Sequence, residues 1–171
     1  MPSPATGLAQ TASHKSASHG MGLLLSGENN ARFPTVAAFT RSDPFTLSLW
    51  IKVPGWTDRA VILHRSRSWT DAGSQGYQLL IEDGHPTWSL VHFWPGNAIS
   101  IRGTTPLDLN RWMQITLVSD GSSRADGLSM FIDGEVVDVE IEQDHLTKPI
   151  TGGGPGAMTI GQRFRDRGFK H

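Results

Sequence analysis

The feature that most constrains the fold is the run of residues 111–141, RWMQITLVSDGSSRADGLSMFIDGEVVDVEI. Met113, Ile115 and Leu117 alternate with Gln114 and Thr116, the period of two that marks a strand with one buried and one wet face. Asp120-Gly121 opens a loop, and the alternation resumes at Leu128, Met130 and Ile132. Asp133-Gly134 then predicts a tight two-residue turn, because glycine takes positive φ at no steric cost. A third strand is expected from Val136. Successive strands joined by hairpin loops imply an antiparallel sheet in an all-β domain.

The same grammar runs through most of the chain. Residues 21–25 and 31–33 read as the first short strands. Phe45, Leu47, Leu49, Ile51 and Val53 alternate without a break, and Pro54-Gly55 ends that strand with turn chemistry. Residues 60–65 (AVILHR) form a continuous apolar run, as expected of a strand buried on both faces. A polar loop over 66–76 follows, then 77–82 and 87–93, which are separated by the hairpin signal Asp83-Gly84-His85-Pro86. Trp94-Pro95-Gly96-Asn97 is a turn, 98–102 a further strand, 151–156 a glycine-rich loop and 158–160 a short final strand. No helical period persists beyond about two turns. Roughly ten short strands at this spacing specify a β-sandwich or a barrel, and the clean alternation favours a sandwich.

Composition removes several function classes. The chain has 171 residues, the size of one domain with a real core. Fifteen basic and sixteen acidic side chains leave a net charge of −1, without the basic footprint of a nucleic-acid binder. The apolar runs are too short to span a bilayer. There is no cysteine, which excludes disulfides, thiolate metal sites, a cysteine nucleophile and covalent haem within this chain. Residues 1–20 lack the apolar centre of a signal peptide. They read as a disordered leader ahead of a domain over 21–171.

Two sets of residues could carry chemistry. Asp138, Glu140 and Glu142 place three carboxylates along one strand face, a pattern similar to that of jelly-roll glycoside hydrolases. Retaining hydrolysis needs a matched carboxyl pair about 5 Å apart in a cleft, and a strand that directly follows a hairpin turn reads instead as a solvated face. Trp56, Trp69 and Trp94 lie in or beside turns, where an indole either packs or binds. Sugar-binding sites stack rings on such faces and fix hydroxyls with polar side chains, so Arg65, Asp71, His92 and Asn97 are candidate companions of Trp69 and Trp94. Trp50, Trp88 and Trp112 lie within strands and read as structural. His64, His85, His92 and His145 show no metal-ligand spacing. The glycine run at 152–154 lacks the Lys-Ser/Thr of a phosphate loop, and no G-x-S-x-G elbow occurs.

PFTLSLWIKVP, RWMQITLVSDG, LSMFIDGEVV and MTIGQRF, in that order and spacing, resemble the laminin-G-like/concanavalin A-like lectin domains over residues 21–171. The resemblance implies an antiparallel two-sheet jelly-roll β-sandwich. The segments HRSRSWTDAGSQGYQLLIEDG, HFWPGN and FRDRGFK are similar to the jelly-roll insert of planctomycete-type cytochrome-c-linked multidomain proteins of unknown function. Phe131 stands where many relatives carry tyrosine, and relatives continue after GFK with a closing strand, whereas this sequence ends at His171. The expectation is a fragment lacking that C-terminal strand. By resemblance the chain is a non-catalytic recognition module that binds carbohydrate or a protein partner. It would act beside neighbouring domains of a larger extracytoplasmic protein. The family also allows a Ca2+ ion at a loop rim, with no position assigned here and no other cofactor required. Two alternatives are a structural spacer that buries Trp56, Trp69 and Trp94 within the fold or against another domain, and a glycoside hydrolase that uses the three carboxylates.

Overall fold

A computed structural model describes residues 8–9, 14–17, 20–67, 74–151 and 156–163. It contains strands β1 (Leu8–Ala9), β2 (His14–Ala17), β3 (Gly20–Leu23), β4 (Asn30–Phe33), β5 (Phe45–Lys52), β6 (Arg59–His64) and β7 (Gly76–Glu82). These are followed by β8 (His85–Phe93), β9 (Asn97–Gly103), β10 (Trp112–Ser119), β11 (Leu128–Ile132), β12 (Glu135–Val136), β13 (Val139–His145) and β14 (Met158–Gly161). A 3-10 turn spans Ala125–Gly127. The strands form an eight-stranded sheet in the order β1-β4-β14-β6-β7-β8-β9-β13 and a four-stranded sheet in the order β12-β11-β10-β5. β2 and β3 pair only with each other.

The small sheet obeys the alternation seen in the sequence. β5 and β10 pair antiparallel over their full length, from Trp112↔Lys52 to Ser119↔Phe45. Met113, Ile115 and Leu117 point into the core, while Ser48 and Thr116 hydrogen-bond across the outer face at 3.1 Å. The large sheet does not alternate, because both of its faces are closed: β7 and β8 are buried at nearly every position. Between the sheets Trp88 is the largest closed side chain. It meets Phe45 edge-on at 6.0 Å and Tyr77 at 6.0 Å, and its indole N–H donates to the Val118 carbonyl at 3.3 Å. Phe39 stacks on Phe45 at 4.0 Å and extends this aromatic cluster.

Both Asp-Gly turns form as the sequence predicts. Asp83 (φ 49°) and Gly84 (φ 78°) link β7 to β8, and Asp133 (φ 52°) and Gly134 (φ 88°) link β11 to β12. Positive φ at both central residues is the turn whose twist matches paired strands. Asp133 is braced further, accepting from Gln114 N–H at 2.8 Å and from Arg111 Nη1 at 2.5 Å. The Arg111 guanidinium, and after it the Gln114 N–H, hold the Asp133 carboxyl below the usual carboxylate range. A lowered folded pKa contributes stability above the ordinary carboxylate range and loses it as pH falls through the folded value. We therefore expect Asp133→Asn to flatten the acid limb of a plot of Tm against pH. An unchanged acid limb would remove this contribution.

Three sequence expectations need correction. The third run was expected to be one strand from Val136, but it is two: β12 pairs with β11 in the small sheet, whereas β13 pairs with β9 in the large one. The chain crosses between sheets at Val137 and Asp138. Residues 1–20 are not uniformly a disordered leader, since Leu8 and Ala9 pair with Ala31 and Asn30, and β2 pairs with β3. An open strand edge offers unpaired backbone groups to any extended segment, so pairing here needs no apolar pattern. Trp50, expected to be structural, is 43% exposed on β5, whereas Trp88 is closed.

Candidate functional site

The antiparallel strands bring the predicted residues to one end of the large sheet. Arg65 follows the C-terminal end of β6, His92 lies at the end of β8 and Asn97 begins β9, so one rim collects them. Trp94 tops the same rim in the turn with Pro95 and Gly96, where the Trp94–Pro95 peptide is cis. Trp69 and Asp71 fall outside the described residues.

Most polar groups at this rim are engaged in building it. Asn97 is 8% exposed. Its Nδ2 donates to Thr147 Oγ1 at 2.8 Å, and its Oδ1 accepts from the N–H groups of Thr147 and Lys148 at 3.2 and 3.1 Å. His92 Nδ1 lies 2.6 Å from the Pro149 carbonyl, and Gln75 Nε2 donates to the carbonyls of Pro149 and Thr151 at 3.1 and 2.7 Å. Arg65 Nη2 donates to the Gly156 carbonyl at 3.2 Å, while its buried Nε has no hydrogen-bond partner. The hydroxyl of neighbouring Tyr77 donates to the Ala37 carbonyl at 2.8 Å. Burial pushes its pKa well up, partly offset by the Arg65 cation. Phe93, by contrast, is 46% exposed. The rim thus presents exposed Phe93 and half-buried Trp94 on a frame pinned by His92 and Asn97, with Arg65 two strands away at the end of β6. Asn97→Ala is expected to destabilise the fold by about 1–3 kcal/mol, because two backbone N–H groups lose their acceptor. Urea denaturation would measure this, and hydrogen exchange should quicken at the 147–148 amides.

The opposite end of the sandwich holds a feature that the sequence reading only touched. A groove of about 370 Å3 opens there, with Val53, Ile81, Leu107 and Leu109 among its walls and Thr57, Thr105 and Asp108 contributing polar atoms. Trp56 lines it and is 61% exposed. Its Nε1 donates to Asp58 Oδ1 at 3.1 Å. A Cβ added to Gly84 would lie 2.6, 3.0 and 3.1 Å from Cζ3, Cη2 and Cε3 of the indole. Three such similar distances mean that the turn backbone meets the ring face-on, so the indole rests one face on Gly84. Backbone bonds brace the surrounding loops: Gly84 N–H to Thr57, Asp83 N–H to Asp58, Leu107 N–H to Gly84 and Asn110 N–H to Val53, at 2.6–3.0 Å. The signal available in sequence was a tryptophan followed two residues later by aspartate. Its contact with the 83–84 turn exists only in the fold.

A third polar set is closed to solvent. Thr159, His64, Gln78, Ser89, Ser100 and Gln143 stand in register across six adjacent strands. Ser89 and Ser100 share a hydrogen bond of 2.9 Å, and Ser100 donates to Glu142 at 2.9 Å. Arg163 donates to Ser66 at 2.9 Å and also to Gln78. This row supports the sheet. It offers no surface to a ligand.

Glu140 and Glu142 share one face of β13, because the β9 residues they contact, Arg102 and Ser100, are two apart on that strand. Asp138 precedes β13, Glu140 faces Arg102 across the strand pair, and a bulge between Ile141 and Gln143 turns Glu142 toward Ser100. Their strand is the outer edge of the large sheet. Among the described residues, no three His, Asp or Glu side chains converge to hold a metal ion. No helix among the described residues is long and apolar enough to cross a membrane.

An all-β sandwich of two antiparallel sheets, with aromatic side chains on loops at both ends, defines a jelly-roll domain of lectin type. The chain belongs to the concanavalin A-like lectin/glucanases superfamily, whose model matches residues 25–170. No curated protein shows significant sequence similarity to it. Among solved structures it is similar to the botulinum neurotoxin serotype G binding domain, at a TM-score of 0.62 and 14% identity over 90% of this chain and 37% of that one. It is also similar to domain 4 of AbnA, a GH43 extracellular arabinanase from Geobacillus stearothermophilus solved in complex with arabinotriose. That match has a TM-score of 0.58 and 15% identity over 95% of this chain and 71% of that one. The chain therefore spans little more than a third of the neurotoxin domain it matches. At these identities the similarity establishes the fold.

Proposed function

We propose that the chain is a non-catalytic module that binds carbohydrate as part of a larger extracytoplasmic protein. One observation carries this reading: both ends of the sandwich offer solvent-facing aromatic side chains, Phe93 at the end of β8 and Trp56 in the loop before β6, on segments braced by hydrogen bonds. Exposed rings held in place match the flat apolar faces of sugars without having to be ordered on binding. At the 65–97 rim, Arg65 and Trp94 would meet a ligand, joined by Trp69 and Asp71 from the intervening loop, while His92 and Asn97 shape the rim. Superfamily membership and the arabinanase domain solved with arabinotriose support the ligand class. The carboxylates of 138–142 belong to an edge strand, with Glu140 facing Arg102 and Glu142 accepting from Ser100, which favours a binding role over hydrolysis. The spacer alternative requires Trp56 to be buried within the fold or against another domain; with the ring 61% exposed in this fold, only the second route remains for it.

The test is titration of the whole chain against soluble arabinan, xylan, β-glucan and their oligosaccharides, by calorimetry and affinity electrophoresis, with added Ca2+ or with chelator. Saturable binding of at least one glycan is expected, with chelation leaving affinity unchanged. If no glycan binds under either condition, the carbohydrate reading fails. Loss of binding on chelation would place a Ca2+ ion in the site.

A further inference from the structure

We propose that the Trp56 groove is a carbohydrate site in its own right, separate from the 65–97 rim, and that it takes a neutral sugar ring. The ligand class rests on the reading above. The location and the preference for neutral sugars rest on independent observations.

The separation follows from strand direction. Trp56 lies beside the Arg59 end of β6, and Arg65 follows its His64 end. Six strand residues put the two regions roughly 20 Å apart, too far for one sugar ring to bridge. The platform is already built. With one indole face seated on Gly84 and Nε1 held by Asp58, the 61% exposure of Trp56 comes from the other face and the ring edges. A ring fixed in this way loses little rotamer freedom when a ligand stacks on it. The groove volume of about 370 Å3 sits near the small end of ligand-site volumes, which suits one or two sugar rings. Thr57, Thr105 and Asp108 supply hydrogen-bonding groups beside the apolar wall.

Charge decides which sugars fit. Asp108 lines the groove, Asp58 holds the Trp56 indole and Asp83 precedes Gly84 in the turn beneath it. The guanidinium groups at this end already face carboxylates: Arg59 faces Glu82, Arg102 faces Asp83 and Glu140, and Arg111 faces Asp108 and Asp133. Lys52 sits on the outer face of β5 and is not part of the groove lining. A uronate or sulfated sugar would meet acceptors and like charge. Neutral hydroxyls would donate to them.

The experiment uses the whole chain, its Trp56→Ala and Trp56→Phe variants, and Trp94→Ala as the control at the other rim. Neutral oligosaccharides of arabinose, xylose and glucose, and polygalacturonate as the anionic probe, are titrated by calorimetry while the Trp56 indole N–H resonance is followed by NMR. The expected result is saturable movement of that resonance with at least one neutral oligosaccharide. The groove-site affinity should fall about tenfold or more in Trp56→Ala, fall less in Trp56→Phe and hold in Trp94→Ala. Thermal melts verify that each variant is folded. Because Trp56 is exposed, its truncation should move Tm little.

Glycan binding that survives Trp56→Ala but is lost in Trp94→Ala overturns this inference and keeps the broader carbohydrate reading. Polygalacturonate binding as tightly as the neutral glycans overturns the preference. An indole resonance that no glycan moves, or that shifts only with protein concentration, overturns the site. In the second case the groove is a contact between copies.

Discussion

Trp88→Ala is expected to destabilise the protein by about 3–5 kcal/mol, the cost typical of truncating a large buried aromatic side chain. Trp88 is completely closed to solvent and belongs to the large sheet, yet it contacts elements on both sides of the core. Its ring meets Phe45 of the small sheet edge-on and Tyr77 of the neighbouring strand at a tilt. Its N–H donates to Val118, so truncation also removes the hydrogen bond that ties β8 to β10. Strands β7, β8 and β10 around it are held by ladders on both sides and cannot collapse far into the space left, which places the loss toward the upper end of that range. Urea denaturation at neutral pH measures it, and Trp88→Phe should recover about half. A loss below about 1.5 kcal/mol for the alanine variant would mean that the core repacks freely and that Trp88 does not join the sheets.

Gly76→Ala should have an effect of similar size by a different route. Gly76 has φ +141°, which side chains rarely adopt, and an added Cβ would land on the carbonyl oxygen of Arg65, with the Arg65 carbonyl carbon at 2.8 Å. Neither partner can yield easily. Arg65 N–H donates to the Tyr77 carbonyl at 2.9 Å, which keeps the end of β6 against the start of β7. The substitution must therefore break register at the rim. A loss of about 4 kcal/mol or more is expected, read by the same denaturation. If the variant folds, Arg65 and the 65–97 rim should be displaced while the Trp56 end is unaffected. Wild-type stability in Gly76→Ala would show that β6 and β7 separate here without cost.

These two sites mark the boundary of what the sequence made legible. The alternation on β5 and β10 was readable because the small sheet has one buried and one wet face, and the period of two records that difference directly. Asp83-Gly84 and Asp133-Gly134 were readable because their backbone requirement is local. β12 and β13 were merged, because a strand that changes sheets keeps the same extended backbone and similar residues on both sides of the crossing. The seams in β6–β9 were recognisable only as apolar runs. With both faces closed, inward Leu79 and outward Gln78 are equally buried, and their order carries no period. Candidate sites divided in the same way. Arg65, His92, Trp94 and Asn97 were singled out by residue type and lie at one rim, but residue type could not reveal that Asn97 and His92 hold the 147–149 segment. Trp56 was visible as an indole in a turn, and nothing near it in sequence indicated that Gly84 would carry its ring.

The sequence by itself determined the class of architecture: antiparallel strands and their hairpins are encoded in short-range alternation and turn residues, while the superfamily showed through the resemblance of ordered motifs. Only the tertiary structure decided which polar side chains serve the frame and which remain open to a ligand. That choice depends on partners distant in the chain, such as Asn97 with Thr147 or Trp56 with Gly84. Their meeting is set by strand register and sheet packing, which local propensity does not specify.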